Sequence, residues 1–160
     1  MHSRIYQICD HPIEHDDFIT DSDMPEWFVG SIADYVDDDT DRESDIAWLL
    51  SYFKDTADYR AEDHSFVLKR GAKQEIMRAS YEVFCSKAKS LCITTLDDFV
   101  GEGENSHLNS EMFDLRNAFS DAFSFYAYSE PECLQTISEW LRSAKTDCRY
   151  YIGSTLDYHW

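Results

Sequence analysis

Apolar residues recur along this chain with two periods, and those periods divide it into elements. Ile5, Tyr6 and Ile8 form a short β-prone run that stops at Asp10-His11-Pro12. Residues 11–22 read as an irregular acidic loop. From 23 to 36, Met24, Trp27, Phe28, Ile32, Tyr35 and Val36 fall on one helical face. Asp23 with Glu26 has the form of a capping box, and Pro25 suits a first turn. This predicts a helix over 23–36 with its aromatic side, Trp27 included, buried. Gly30 weakens that helix by about 1 kcal/mol relative to alanine. Thr40 with Glu43 makes a second capping signal, ahead of an apolar stripe at Ile46, Leu49, Leu50 and Phe53.

Further on, "HSFVLKR" (64–70) reads as a strand. Gly71 then opens a long helix to about residue 91, with Ile76, Val83, Phe84, Ala88 and Leu91 on its face. "TTLDDF" (94–99) suits a single capped turn, "GEGENS" (101–106) a flexible loop, and 108–123 a helix through Leu108, Met112, Leu115 and Phe119. Residues 123–129 alternate as a strand. Ser129 to Glu132 is a third capping signal, opening a helix faced by Leu134, Ile137, Leu141 and Ala144. Residues 148–160 form a final strand with Cys148, Tyr150, Ile152, Ser154, Leu156, Tyr158 and Trp160 on one side.

These elements give about four strands and about five helices. The expected fold is α+β: one domain over 1–160, with a mixed, mainly antiparallel sheet and helices packed on one face. A purely parallel sheet is disfavoured because strand 123–129 alternates instead of forming a solid apolar run. No internal repeat is visible.

Composition supports a packed chain: 160 residues, 43% hydrophobic and 15% aromatic, with only five Gly and three Pro. Five cysteines, an odd number without a CxxC pair, argue against a disulfide framework and for a reducing compartment. "MHSRIYQICD" lacks the apolar run of a signal peptide, and no stretch approaches the ~20 apolar residues of a membrane span. A cytoplasmic location is expected.

Charge changes the picture most. The net charge is −18, which opposes direct binding to nucleic acid or to an anionic membrane. Residues 10–45 hold fourteen carboxylates and one arginine, whereas the helix expected over 69–91 is basic. Acids interleaved with helically spaced aromatics suggest a segment fastened down by its apolar side with its carboxylates outward. The plain alternative is a solvated face, partly paired with the basic helix. The functional reading is a row of charge that imitates nucleic-acid phosphates. Helical carboxylates ~5–6 Å apart match DNA's one charge per ~1.7 Å of axis only loosely.

Candidate chemistry is sparse. His11 and His15 have an i, i+4 spacing, but Pro12 interrupts any helix and HExxH is absent. "DDDTDRESD" begins like a calcium loop but has Arg42 and Trp48 where Gly and Glu are required. No metal site or cofactor is therefore expected. Cys85 and Cys92 read as small buried residues on one helix face. Nucleophile and phosphate-loop motifs are missing, and His64, His107 and His159 each stand alone.

In size, acidity and lack of catalytic motifs the chain resembles DNA-mimicking anti-restriction and anti-CRISPR inhibitors of phages and mobile elements. The likeness is one of composition and transfers no residue roles. The expected function is a non-enzymatic acidic inhibitor that blocks the basic groove of a nuclease or CRISPR effector. The expected partner is thus a basic, nucleic-acid-binding protein. Asp34, Asp37, Asp38, Asp39, Asp41, Glu43 and Asp45 are the expected contacts, and Tyr126, Tyr128, Tyr150 and Trp160 a secondary interface. The alternatives are an immunity protein that neutralises a basic toxin, and an enzyme with a metal-assisted or aromatic-lined site.

Overall fold

The computed structural model describes residues 1–103, 107–130 and 133–160. The end of the loop expected at 101–106, and Pro131 and Glu132 of the third capping signal, lie outside the described residues. The chain divides into two compact units: Met1–Ile76 with Ala122–Trp160, and Met77–Asp121.

The first unit is built on one mixed sheet of seven strands: β1 (His2–Cys9), β2 (Tyr35–Asp37), β3 (Ala57–Arg60), β4 (Ser65–Leu68), β5 (Tyr126–Glu130), β6 (Cys133–Thr136) and β7 (Arg149–His159). Their order is β3-β4-β7-β1-β5-β6, with β2 also pairing β7. Only the β1–β5 pair is parallel. With six α-helices among the described residues, the α+β class holds, while the expected four strands and five helices undercount both.

Both faces of the sheet are covered. On one face lie α1 (Arg42–Phe53), the short α2 (Ala72–Ile76) and α6 (Ile137–Ser143). Their Ile46, Leu49, Phe53, Ala72, Ile137, Trp140 and Leu141 are buried, and Phe53 and Trp140 both meet Phe66 of β4. The opposite face is covered by the irregular acidic segment that precedes β2. Ile19, Met24, Phe28 and Ala33 there join Ile5, Tyr126, Tyr128, Leu134, Leu156 and Tyr158 in one apolar cluster.

The helix expected over 23–36 is absent. Gly30 takes φ 89°, which breaks a right-handed helix. The Phe28 carbonyl instead accepts the amides of Ile32 and Ala33, at 2.9 and 3.0 Å, closing a tight loop. Phe28 is fully buried and Trp27 is 51% exposed, the reverse of the expectation for Trp27. The third capping signal is also misplaced. Cys133–Thr136 is strand, and α6 starts after it, capped by Thr136 and Glu139.

The last strand does not keep one face. Tyr6 pairs with Thr155 and Ile8 with Ile152, so β7 carries one extra residue, a bulge opposite Gln7. The bulge moves Tyr150 and Ile152 to the helix side and leaves Leu156 and Tyr158 on the acidic-segment side. It also exposes backbone polar groups that the Gln7 side chain takes up. Gln7 Oε1 accepts Ser154 N–H at 3.1 Å and Ile19 N–H at 3.4 Å, and Nε2 donates to the Asp17 carbonyl at 2.8 Å. A Cβ on Gly153 would overlap that oxygen and push the Gln7 amide off these partners. Gln7→Leu should destabilise the fold by about 1–3 kcal/mol in urea melts. Limited proteolysis should then cut within residues 13–20, the stretch Gln7 fastens to the sheet, before the sheet itself opens.

The second unit contains α3 (Arg78–Cys92), α4 (Leu96–Val100) and α5 (Leu108–Phe119). The long helix expected from Gly71 breaks at Met77, so the basic stretch 69–91 is not one helix. Helices α3 and α5 pack together through Phe84 and Phe119, and Lys87 bridges Asp114 at 2.8 Å and Glu111 at 3.5 Å. The turn expected at 94–99 is α4, capped reciprocally by Thr95 and Asp98. No helix among the described residues is long and apolar enough to cross a membrane.

Candidate functional site

The acidic segment is anchored at intervals and exposed between its anchors. Ile19, Met24, Phe28 and Ala33 fix it to one face of the sheet, and the run from Asp34 to Asp45 then follows the open edge of β7. β2 pairs with residues 157–159 of that edge and β4 with residues 149–151. The interval between them is closed by side chains. Thr40 Oγ1 donates to the Thr155 carbonyl at 3.0 Å, while Arg42 Nε and Nη2 donate to the carbonyls of Gly153 and Ile152 at 2.6 and 2.7 Å. The single arginine of the segment thus points inward to backbone oxygens, where burial lowers its pKa below the usual guanidinium value.

Of the fourteen carboxylates in 10–45, thirteen are exposed. Among the described residues of this unit, none of the thirteen pairs with Lys or Arg; Asp10 and Asp34 meet histidines. Asp34 lies beside β2, with Oδ2 3.1 Å from His159 Nδ1. Asp37 ends β2 and accepts Asp39 N–H at 2.9 Å. Asp38 and Asp39 are exposed, Asp41 caps α1 by accepting Ser44 N–H at 3.2 Å, and Glu43 is exposed in the first turn. Six expected contacts therefore share one exposed stretch. Neighbouring charges ~6 Å apart in water repel by roughly 0.7 kcal/mol, a strain that the anchors on either side offset.

Asp45 belongs elsewhere. It is 3% exposed, and its carboxylate receives Arg4 Nε at 2.6 Å and Thr155 Oγ1 at 3.0 Å. The Asp45 backbone carbonyl accepts the Tyr6 hydroxyl at 2.9 Å, and burial raises the pKa of that phenol. Arg4 continues to Asp157, which also meets His2 Nδ1 at 2.6 Å. This network pins the start of α1 to β1 and β7 and turns the Asp45 carboxylate inward. Nothing in the chain's charge runs marked Arg4, Thr155 or Asp157. The available signal for Asp45 was its place on the apolar stripe, beside Ile46 and four residues before Leu49.

The expected aromatic interface is likewise internal. Tyr126 and Tyr128 lie in the cluster beneath the acidic segment, and Tyr150 packs on Phe66 and Trp140 under the helices. The reason is that both sheet faces are covered where Tyr126, Tyr128 and Tyr150 lie. Trp160 is half-buried, 4.4 Å from Phe123 between ring centres. His11 stands exposed beside Asp10, and the His15 ring lies tilted against Phe18, 5.0 Å between centres. Among the described residues no three His, Cys, Asp or Glu side chains converge as metal ligands. The five cysteines are free thiols.

Comparison with protein-family models, with curated proteins and with solved structures returned no match to this chain.

Proposed function

We propose that the chain is a binding protein whose acidic face occupies a basic surface on its partner, in the manner of a nucleic-acid mimic seated in the groove of a nuclease or CRISPR effector. One observation carries this reading: thirteen exposed carboxylates lie within 36 residues, held to the sheet by buried anchors and, among the described residues of their unit, without a salt bridge to Lys or Arg. A charge run needed only for solubility has no need of such fastening. Ordered attachment lowers the entropy lost on binding, and the unneutralised field steers a basic partner to the face.

The test is a sixfold variant, with Asp34, Asp37, Asp38, Asp39 and Asp41 changed to Asn and Glu43 to Gln. Asn at 41 keeps the helix cap, so folding should be retained. Against purified nucleases and CRISPR effectors assayed on DNA or RNA, the parent should inhibit at least one. Inhibition should weaken as salt shortens the Debye length from ~10 Å at 0.1 M towards ~3 Å at 1 M. The variant should lose orders of magnitude in affinity, at ~1.5–3 kcal/mol for each charge-assisted contact removed. Equal inhibition by parent and variant would show that the face only solubilises.

A further inference from the structure

The β3–β4 hairpin turns through residues 61–64, and its last residue, His64, has φ 47°. Loops of this kind favour glycine at a left-handed position, and a side chain there introduces strain. His64 is nevertheless held on both sides. Its carbonyl accepts Ile152 N–H at 3.0 Å, and its ring Nδ1 lies 2.9 Å from the Tyr59 hydroxyl. Burial, with the Glu43 carboxylate nearby, raises the Tyr59 pKa, so the phenol stays protonated and can donate to Nδ1.

That ring lines a cleft of about 410 Å³ together with His15, Phe18, Arg42, Asp63 and Tyr151. The Arg42 guanidinium lies 5.2 Å over the Phe18 ring. Among the described residues it donates to backbone carbonyls and forms no salt bridge, although the neighbouring Glu43 carboxylate acts on it electrostatically. The one acid lining the cleft, Asp63, is engaged by the Ser65 hydroxyl at 2.6 Å and by Arg149 at 3.6 Å. In a chain of net charge −18 the cleft therefore gathers a cation, two imidazoles and two aromatic rings. Closure of the β7 edge accounts for Arg42. It does not account for a histidine at a position suited to glycine, nor for a second histidine across the same cleft.

We propose that this cleft binds a small organic oxyanion, a carboxylate or phosphate monoester with an apolar body. The charged end meets Arg42, His15 and His64, and the body lies against Phe18 and Tyr151. Such a mixed apolar pocket with a few convergent polar groups is the usual form of a small-ligand site.

The full chain would be titrated with phenyl phosphate, benzoate and benzamidinium while the histidine ring signals are followed by NMR. Saturable binding of one or both anions is expected, with shifts at His15 and His64 and none with the cation. The anion that binds tighter identifies the head group. His64→Gly should unfold at equal or higher urea concentration, because the strain is relieved, yet bind the anion at least about tenfold more weakly. His15→Gln, at an exposed position, should weaken binding in the same sense. Failure of both anions to bind at ~10 mM, equal binding of benzamidinium, or undiminished binding by His64→Gly and His15→Gln would overturn the proposal.

Discussion

Asp45→Ala should lower the unfolding free energy by about 3 kcal/mol or more, the cost of removing one partner of a buried ion pair. The carboxylate is 5% exposed and Arg4 21%, so water cannot replace what is lost. Arg4 would keep Asp157, the Ser3 carbonyl and the face of Trp48 but lose its buried carboxylate, and the Thr155 hydroxyl would lose an acceptor. Urea melts of Asp45→Ala would read the loss. Pairing it with Arg4→Met should recover much of it, because an apolar pair avoids the desolvation that the ion pair endures. A loss under ~1 kcal/mol would mean that the start of α1 is not held to the sheet by this network.

Phe28→Ala should cost about 3–5 kcal/mol, the usual range for a large aromatic removed from a core. Its ring meets Tyr126 at 4.9 Å and Tyr158 at 5.3 Å between centres, both edge-on. It is also a main anchor of the acidic segment. Trp27→Ala, one residue away, should cost under ~1 kcal/mol, since half of that ring already faces solvent. Equal losses for the two in denaturant melts would contradict the placement of this loop.

These two neighbours show what the sequence could and could not tell. Apolar residues among acids correctly marked 23–36 as fastened to the body. Met24, Phe28 and Ile32 at intervals of four imitate a helix, but the same spacing serves a loop whose turns return each anchor to the sheet. Only the left-handed Gly30 separates the two, and its conformation is not written in the pattern. The bulge in β7 was equally hidden, because an extra residue is defined by the partner strand. Strands β2 and β3 are short, and "YVD" and "ADYR" carry too few apolar residues to show a period. The exposed carboxylates were legible from composition alone. His64 and His15 were not legible as neighbours, since a hairpin and a distant loop meet only once the sheet is formed.

The order of the strands bears on how the chain survives its own synthesis. β1 is the first strand made, yet both of its neighbours, β5 and β7, lie beyond residue 125. Until those arrive, the sheet has no centre, and Phe28, Met24 and Ile19 have nothing to cover. Such long-range pairing is slow, and a waiting chain with bare aromatics tends to aggregate. The carboxylates interleaved with those aromatics repel other nascent chains throughout that interval. Charges set beside apolar residues in this way have the placement of gatekeepers against aggregation. The same acids that would meet a partner in the finished protein thus keep the unfinished one apart from its copies.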